Sequence, residues 1–162
     1  MTREPGGTPL GEKLRELLLH DDMHPETETL LMFAARSEHI QKIIKPNLDN
    51  NICVVSDRFT DATYAYQCGG KFVRTEKVTA LKDWTHKDLT PDLTLLFDVP
   101  TEISIERLNK SGNLDKFERQ EKKFHDSIRA TYLDIAEKEK KRFRVVDSSQ
   151  SIEIIQQKIT LI

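Results

Sequence analysis

Ile52-Cys53-Val54-Val55-Ser56-Asp57-Arg58-Phe59 is the stretch on which the fold turns. Four apolar residues, two of them Val and one Ile, end abruptly in Ser-Asp-Arg, which predicts a buried strand whose carboxyl end carries two charges. Two more runs have the same character: Leu93-Thr94-Leu95-Leu96-Phe97 and Phe143-Arg144-Val145-Val146. Amphipathic spacing predicts helices over about 9–20 and 26–45 before the first run, and near 61–68 and 72–84 after it. Further helices are predicted near 101–110 and 116–140, and the last over about 151–161. Short continuous apolar runs alternating with helices are the pattern of parallel strands covered on both faces. An α/β protein with a parallel sheet and flanking helices is expected. Three strands make a small sheet for so many helices, so part of it is expected to lie ahead of these residues.

Composition narrows the function classes. A length of 162 residues fits one domain, and 37% apolar residues supply a core. No stretch approaches the ~20 apolar residues of a membrane-spanning helix. Lys and Arg number 25 against 27 Asp and Glu, for a net charge of -2, which argues against a dedicated nucleic-acid binder. Cys53 and Cys68 form neither a disulfide framework nor a metal-binding pattern, as expected in a reducing compartment. The opening Met1-Thr2-Arg3-Glu4-Pro5-Gly6-Gly7 lacks the apolar core of a secretory signal, so a cytoplasmic location is expected. There is no internal repeat and no low-complexity segment. The stretch Lys110-Ser111-Gly112-Asn113 is the best candidate for a mobile loop.

Several residues carry chemistry. In Thr2-Arg3-Glu4-Pro5-Gly6-Gly7-Thr8-Pro9, Thr8 reads as a helix N-cap with Pro9 at the first helical position. The segment reads either as a plain turn or as an ordered loop that turns Arg3 and Glu4 toward a pocket. The first helix shows a stripe of Leu10, Leu14, Leu17 and Leu18 with Arg15 beside it. In the second, Met32, Phe33, Ile40, Ile43 and Ile44 share a face, and Arg36 falls in its middle. A guanidinium there needs an acid partner or an anionic ligand. Met32 and Phe33 suit a flat base, though such residues are more often plain core. Ligands of open α/β sheets bind beyond the strands' carboxyl ends, where Asp57 and Arg58 stand. Arg58 suits a phosphate, and Asp57 either a Mg²⁺-bound water or the orientation of that Arg. Asp61-Ala62-Thr63-Tyr64-Ala65-Tyr66-Gln67 follows, and an amide such as Gln67 offers donor and acceptor to a base edge. Asp98 and Asp147 are further strand-end carboxylates. Arg107, Lys110 and Lys116 flank the glycine turn as solvated cations or as a polyphosphate clamp, and Asp115 with Glu118 reads as a capping box opening the long helix.

In this order, Thr2–Thr8 as TREPGGT, LLMFAAR at 30–36, SDRFTDATYAYQ at 56–67, TPDLTLLFDV at 90–99 and the segment from Gly112 to Tyr132 with its LDKFE core resemble the thymidylate kinase family, closest to bacterial members. The resemblance runs along essentially the whole chain. It implies a P-loop NTPase-like sheet of the nucleoside monophosphate kinase fold, one domain over 1–162 with a lid near 108–120, and transfer of the ATP γ-phosphoryl group to dTMP. It implies that Arg15, Arg36 and Arg58 hold the phosphate or sugar side of dTMP and that Gln67 meets thymine. Glu4 would lie near the acceptor, Asp57 and Arg58 near the transferring group, and Thr63 would add a polar contact. Met32 stands where the family places a stacking aromatic, with Phe33 one residue later. Lys110 and Lys116, with Arg107, stand in the lid facing ATP; ATP with Mg²⁺ and a homodimer are further implications.

One family feature is absent. No Gly-x-x-x-x-Gly-Lys-Ser/Thr occurs in the 162 residues, and Gly69-Gly70-Lys71 lacks the upstream glycine and the following hydroxyl. That loop cradles the donor phosphates. In the family it follows a central strand lying between the runs at 52–56 and 93–97. The chain is therefore expected to be a fragment or a mis-started reading of a longer kinase, with impaired or no activity. The alternative is an inactive nucleotide-binding or interaction domain that keeps the dTMP pocket. A nucleic-acid binder using Lys138-Glu139-Lys140-Lys141-Arg142 is the weakest of the readings, given the acidic net charge.

Overall fold

In the computed structural model, every residue except Asn113 is described. The chain divides into two units, Met1–Leu89 and Thr90–Ile162.

In the first unit, β1 (Thr2–Arg3) and β2 (Ser56–Asp57) pair in parallel, Thr2 opposite Ser56 and Arg3 opposite Asp57. The ladder extends by one bond at each end, from the Thr2 N–H to the Val55 carbonyl and from the Glu4 N–H to the Asp57 carbonyl. Helix α1 (Pro9–His20) starts as its letters predict, with the Thr8 hydroxyl accepting from the Gly11 N–H at 2.9 Å. A Cβ on Gly11 would come within 2.6 Å of the Gly6 carbonyl oxygen, so only glycine lets the loop fold back on this helix. Helix α2 (Pro25–His39) runs through a π-helical turn, Ile40–Ile44, into α3 (Lys45–Asp49). Helix α4 (Thr60–Thr63) likewise continues through a π-helical stretch, Tyr64–Gly70. Phe72 at φ 59° then breaks the run before α5 (Thr75–His86). Phe33, Val73 and Val78 form the core, with Tyr64, Cys68 and Leu81 packed against them.

In the second unit, β3 (Thr94–Asp98) and β4 (Phe143–Asp147) pair in parallel along their whole length. Helices α6 (Thr101–Ser111), α7 (Lys122–Lys138) and α8 (Ile152–Thr160) accompany them. Arg129 of α7 donates two bonds, 2.7 and 2.9 Å, to the Asp98 carboxylate, fastening the helix to the end of β3. Phe117, Ile128, Ala136, Phe143 and Val146 are buried. Among the described residues, no helix is long and apolar enough to cross a membrane.

The structure corrects several expectations. The paired part of the run after Ile52 is only Ser56–Asp57, because its partner β1 is two residues long; Ile52 and Val55 are exposed. Thr2–Arg3 is itself a strand, so the described residues hold four strands where three were expected, in two parallel pairs, β1-β2 and β3-β4. Leu10 and Leu17 of the α1 stripe are exposed, leaving Leu18 as its buried member. The long helix starts at Lys122, not near 116. The capping box does form, with Asp115 Oδ1 accepting from the N–H groups of Phe117 and Glu118 at 2.8 and 2.9 Å and Glu118 Oε2 accepting from the Asp115 N–H at 2.9 Å. It closes a separate turn before α7. Of the expected loop at 110–113, Lys110 and Ser111 belong to α6, Gly112 caps it at φ 81°, and Asn113 lies outside the described residues.

Candidate functional site

Glu4 is the centre of the first unit's polar interior. The β1-β2 ladder delivers it past the end of β2, where its side chain is 5% exposed in the residue as a whole. Arg36 Nε donates to one carboxylate oxygen at 2.7 Å, and His39 Nδ1 lies 2.9 Å from the other. A carboxylate only accepts, so Nδ1 donates to it, and His39 Nε2 lies 2.7 Å from the Thr2 hydroxyl. Burial pushes the Glu4 carboxyl up, but the Arg36 charge and the bonds from His39 and Arg36 together hold it below the usual carboxylate range. Arg36 and His39 are three residues apart on α2, one turn of the same face.

Arg36 answers the question its position poses. The guanidinium is 3% exposed and sits 4.8 Å from the Phe33 ring centre and 5.5 Å from that of Phe59. One nitrogen is satisfied by Glu4, yet Nη1 is buried without a hydrogen-bond partner among the described residues. Behind these rings lies His86, 5.0 Å from Phe59. Burial holds its imidazole below the usual histidine range, and the Arg36 charge adds to that effect. Leu89 accepts from His86 Nδ1 at 3.1 Å, which leaves Nε2 to accept from the Thr60 hydroxyl at 2.7 Å.

Of the other predicted groups, Arg15 and the backbone of Asp57 reach this corner, and the side chains of Arg58 and Gln67 have partners elsewhere. Arg15 Nη1 donates to the carbonyl of Pro5, the residue next to Glu4, at 3.1 Å. Arg58 stands at φ 67° and lays its guanidinium 4.9 Å from the Tyr66 ring centre. Its neighbours in sequence both reach the Glu4 corner, Asp57 through its carbonyl and Phe59 through the Arg36 contact. Phe33 belongs to the core at 2% exposure, whereas Met32 is half-buried. Thr63 is buried. Gln67, 1% exposed, donates Nε2 to Glu28 Oε1 at 3.0 Å, and Lys71 donates to Glu28 Oε2 at 2.7 Å.

Asp57 and Arg3, with Thr2, Gly7 and Glu12, line an open hollow of about 420 Å³. Hydrogen bonds from Arg3 at 2.7 Å and from the Gly7 N–H at 2.9 Å hold Glu12 below the usual carboxylate range. The described residues offer no cluster of three His, Cys, Asp or Glu for a metal ion. Mg²⁺ takes one or two carboxylates together with substrate phosphates rather than an all-protein cage, and Asp57 at the strand end would supply one such carboxylate. In the second unit, Arg107 donates to the carbonyls of Ser148 and Ser149 at 2.8 and 3.3 Å, where the β4 strand ends. Lys110 pairs with Glu106 at 2.7 Å, and Lys116 lies 5.3 Å from the Phe117 ring centre.

Participants that escape the sequence reading include His39, Phe59 and Glu28. Each had a signal. His39 repeats the face of Arg36 one turn on, Phe59 follows the strand-end charges, and Glu28 precedes Arg36 by two turns on the same face.

The family model described as Thymidylate kinase matches residues 1–159. A protein named thymidylate kinase from Methylobacillus flagellatus is 60% identical over 158 residues, covering 98% of this chain and 78% of that protein. Another of the same name from a Janthinobacterium species is 53% identical over 162 residues, covering 100% of this chain and 79% of that one. The crystal structure of thymidylate kinase from Ehrlichia chaffeensis superposes with a TM-score of 0.78 at 30% identity, covering 99% of this chain and 78% of that one. The parallel pairs and flanking helices described above are thus those of the nucleoside monophosphate kinase fold. The chain belongs to the thymidylate kinase family of phosphotransferases.

Proposed function

We propose that the Glu4–Arg36 corner receives dTMP, and that the reaction served is transfer of the ATP γ-phosphoryl group to it, giving dTDP. The observation that carries this reading is the buried, unpartnered Nη1 of Arg36. A native interior rarely leaves a charged donor unbonded, and an oxygen of the nucleotide completes it. Glu28, Met32 and Arg36 follow one another at intervals of four along α2. The outer two are about 12 Å apart along the helix axis, and in this reading the pyrimidine lies over Met32, between Gln67 and Arg36. Met32 is then the residue that stacks, since Phe33 is enclosed. Arg15 and Arg58 take the phosphate and sugar side, and Thr63 adds a polar contact.

Phosphoryl transfer asks for little covalent chemistry from the protein; positioning and charge neutralisation dominate. Asp57 and Arg58, at the strand end, stand nearest the transferring group in this reading. Lys110 and Lys116, joined by Arg107 when it leaves its carbonyls, are the lid cations for ATP. The same reading includes a homodimer and a cytoplasmic location. No step is assigned to Mg²⁺ from these residues.

The lack of any Gly-x-x-x-x-Gly-Lys-Ser/Thr in the 162 residues favours a second reading, acceptor binding with little or no turnover. Calorimetric titration of the purified chain with dTMP and ATP, beside an assay of ADP release, tests both. Tight dTMP binding lost in Arg36→Met supports the acceptor site, and turnover then separates kinase from binding module. Failure to bind dTMP overturns the site.

A further inference from the structure

The geometry points to Glu28 as the residue that sets which base this site accepts, by fixing the orientation of the Gln67 amide. The inference rests on the reading of the site as a dTMP pocket and adds the source of its selectivity. A glutamine amide has one accepting and one donating end, and a free one rotates to suit either demand. Gln67 is not free. Its Nε2 lies 3.0 Å from Glu28 Oε1, and a carboxylate accepts only, so the NH₂ end must face Glu28. Lys71 Nζ, 2.7 Å from Glu28 Oε2, holds that carboxylate in place across 43 residues of sequence. Gln67 Oε1 is left facing the other way, with no hydrogen bond among the described residues.

Glu28 itself is 0% exposed and touches no ligand; it is a positioning residue. Through it the pocket presents a fixed acceptor. Thymine and uracil carry N–H at ring position 3 and satisfy it. Cytosine carries a lone pair there and meets Oε1 acceptor to acceptor. A buried polar atom left unpaired in this way weakens binding about 10- to 100-fold.

The test is titration of the full chain, wild type and Glu28→Gln, with dTMP and dCMP. A glutamine at 28 both donates and accepts, so it no longer dictates the Gln67 orientation. The expected result is that wild type prefers dTMP and that Glu28→Gln narrows the preference by about tenfold. A merely structural role weakens both ligands alike, and an unchanged ratio in a variant that still binds dTMP overturns this inference while leaving the dTMP site standing. Wild type that does not bind dTMP overturns both. A second measurement needs no variant: solvent exchange of the two Gln67 side-chain amide protons by NMR. One proton held back by Glu28 supports the assignment, and equal fast exchange of both overturns it.

Discussion

Replacing Arg36 by Met removes the guanidinium while keeping an apolar stem of similar length over Phe33. What remains is Glu4, 5% exposed and ionised, with one carboxylate oxygen stripped of its 2.7 Å partner. Removing one member of a buried ion pair costs about 3–5 kcal/mol. The loss of the charge from between Phe33 and Phe59 adds about 1 kcal/mol. His39 still bonds the other oxygen at 2.9 Å and offsets part of the loss, so about 3–4 kcal/mol is expected. For an urea m value near 2 kcal/mol/M, that moves the unfolding midpoint down by about 1.5–2 M. The double variant Arg36→Met with Glu4→Gln leaves no orphaned charge and should recover all but about 1.5 kcal/mol. Circular dichroism during urea unfolding reads both. If Arg36→Met alone costs less than about 1 kcal/mol, or if the two substitutions simply add, the buried pair is not the keystone of the first unit.

Three further outcomes follow from the same corner. His39→Leu leaves both Thr2 and one Glu4 oxygen without their bond and should cost about 2–3 kcal/mol in urea unfolding, with His39→Gln recovering roughly half because its amide still donates to Glu4. Gly7→Ala should cost about 2–4 kcal/mol, since Gly7 stands at φ 78° and a Cβ would lie 2.7 Å from His39 and from the Thr2 hydroxyl; a neutral effect would place the loop elsewhere. Stability should fall with acid in two stages. Below about pH 6.5 the unfolded chain takes up a proton that buried His86 refuses, and below about pH 4.3 the same holds for Glu4, whose native carboxylate stays ionised. Urea midpoints between about pH 8 and about pH 2.5 measure this, and a His86→Gln variant whose midpoint still drops through the first stage would remove His86 from the account.

Much of this was legible in the letters, and the reasons are particular. Thr94–Asp98 and Phe143–Asp147 are strands because an apolar run bounded by polar residues has few other ways to bury itself. The Thr8 cap and the helix expected over about 26–45 follow from local chemistry, whereas its π-helical turn at Ile40–Ile44 and its continuation to Asp49 left no mark in the letters. Arg36 announced itself as a charge on an apolar stripe. The length of β2 was not legible, because a strand's extent depends on its partner, and β1 offers two residues. Neither was the partner of Gln67: Glu28 lies 39 residues away, and nothing local to either one reveals the pairing. Composition was equally silent on Arg107, whose bonds go to carbonyls that any residue at 148 and 149 would supply.

The left-handed turn at Arg58 bears on how this protein should be engineered. A non-glycine residue at φ 67° costs about 1 kcal/mol or more, and the extended Phe59 that follows makes two successive side chains diverge, one toward Tyr66 and the other beneath Arg36. A campaign selecting only for heat tolerance would therefore be drawn to glycine at 58, where relief of the backbone comes at once. The winner of that campaign would be sturdier and would have surrendered the guanidinium that lies over Tyr66 and that the proposed function assigns to the nucleotide. Position 58 should be held fixed from the first round.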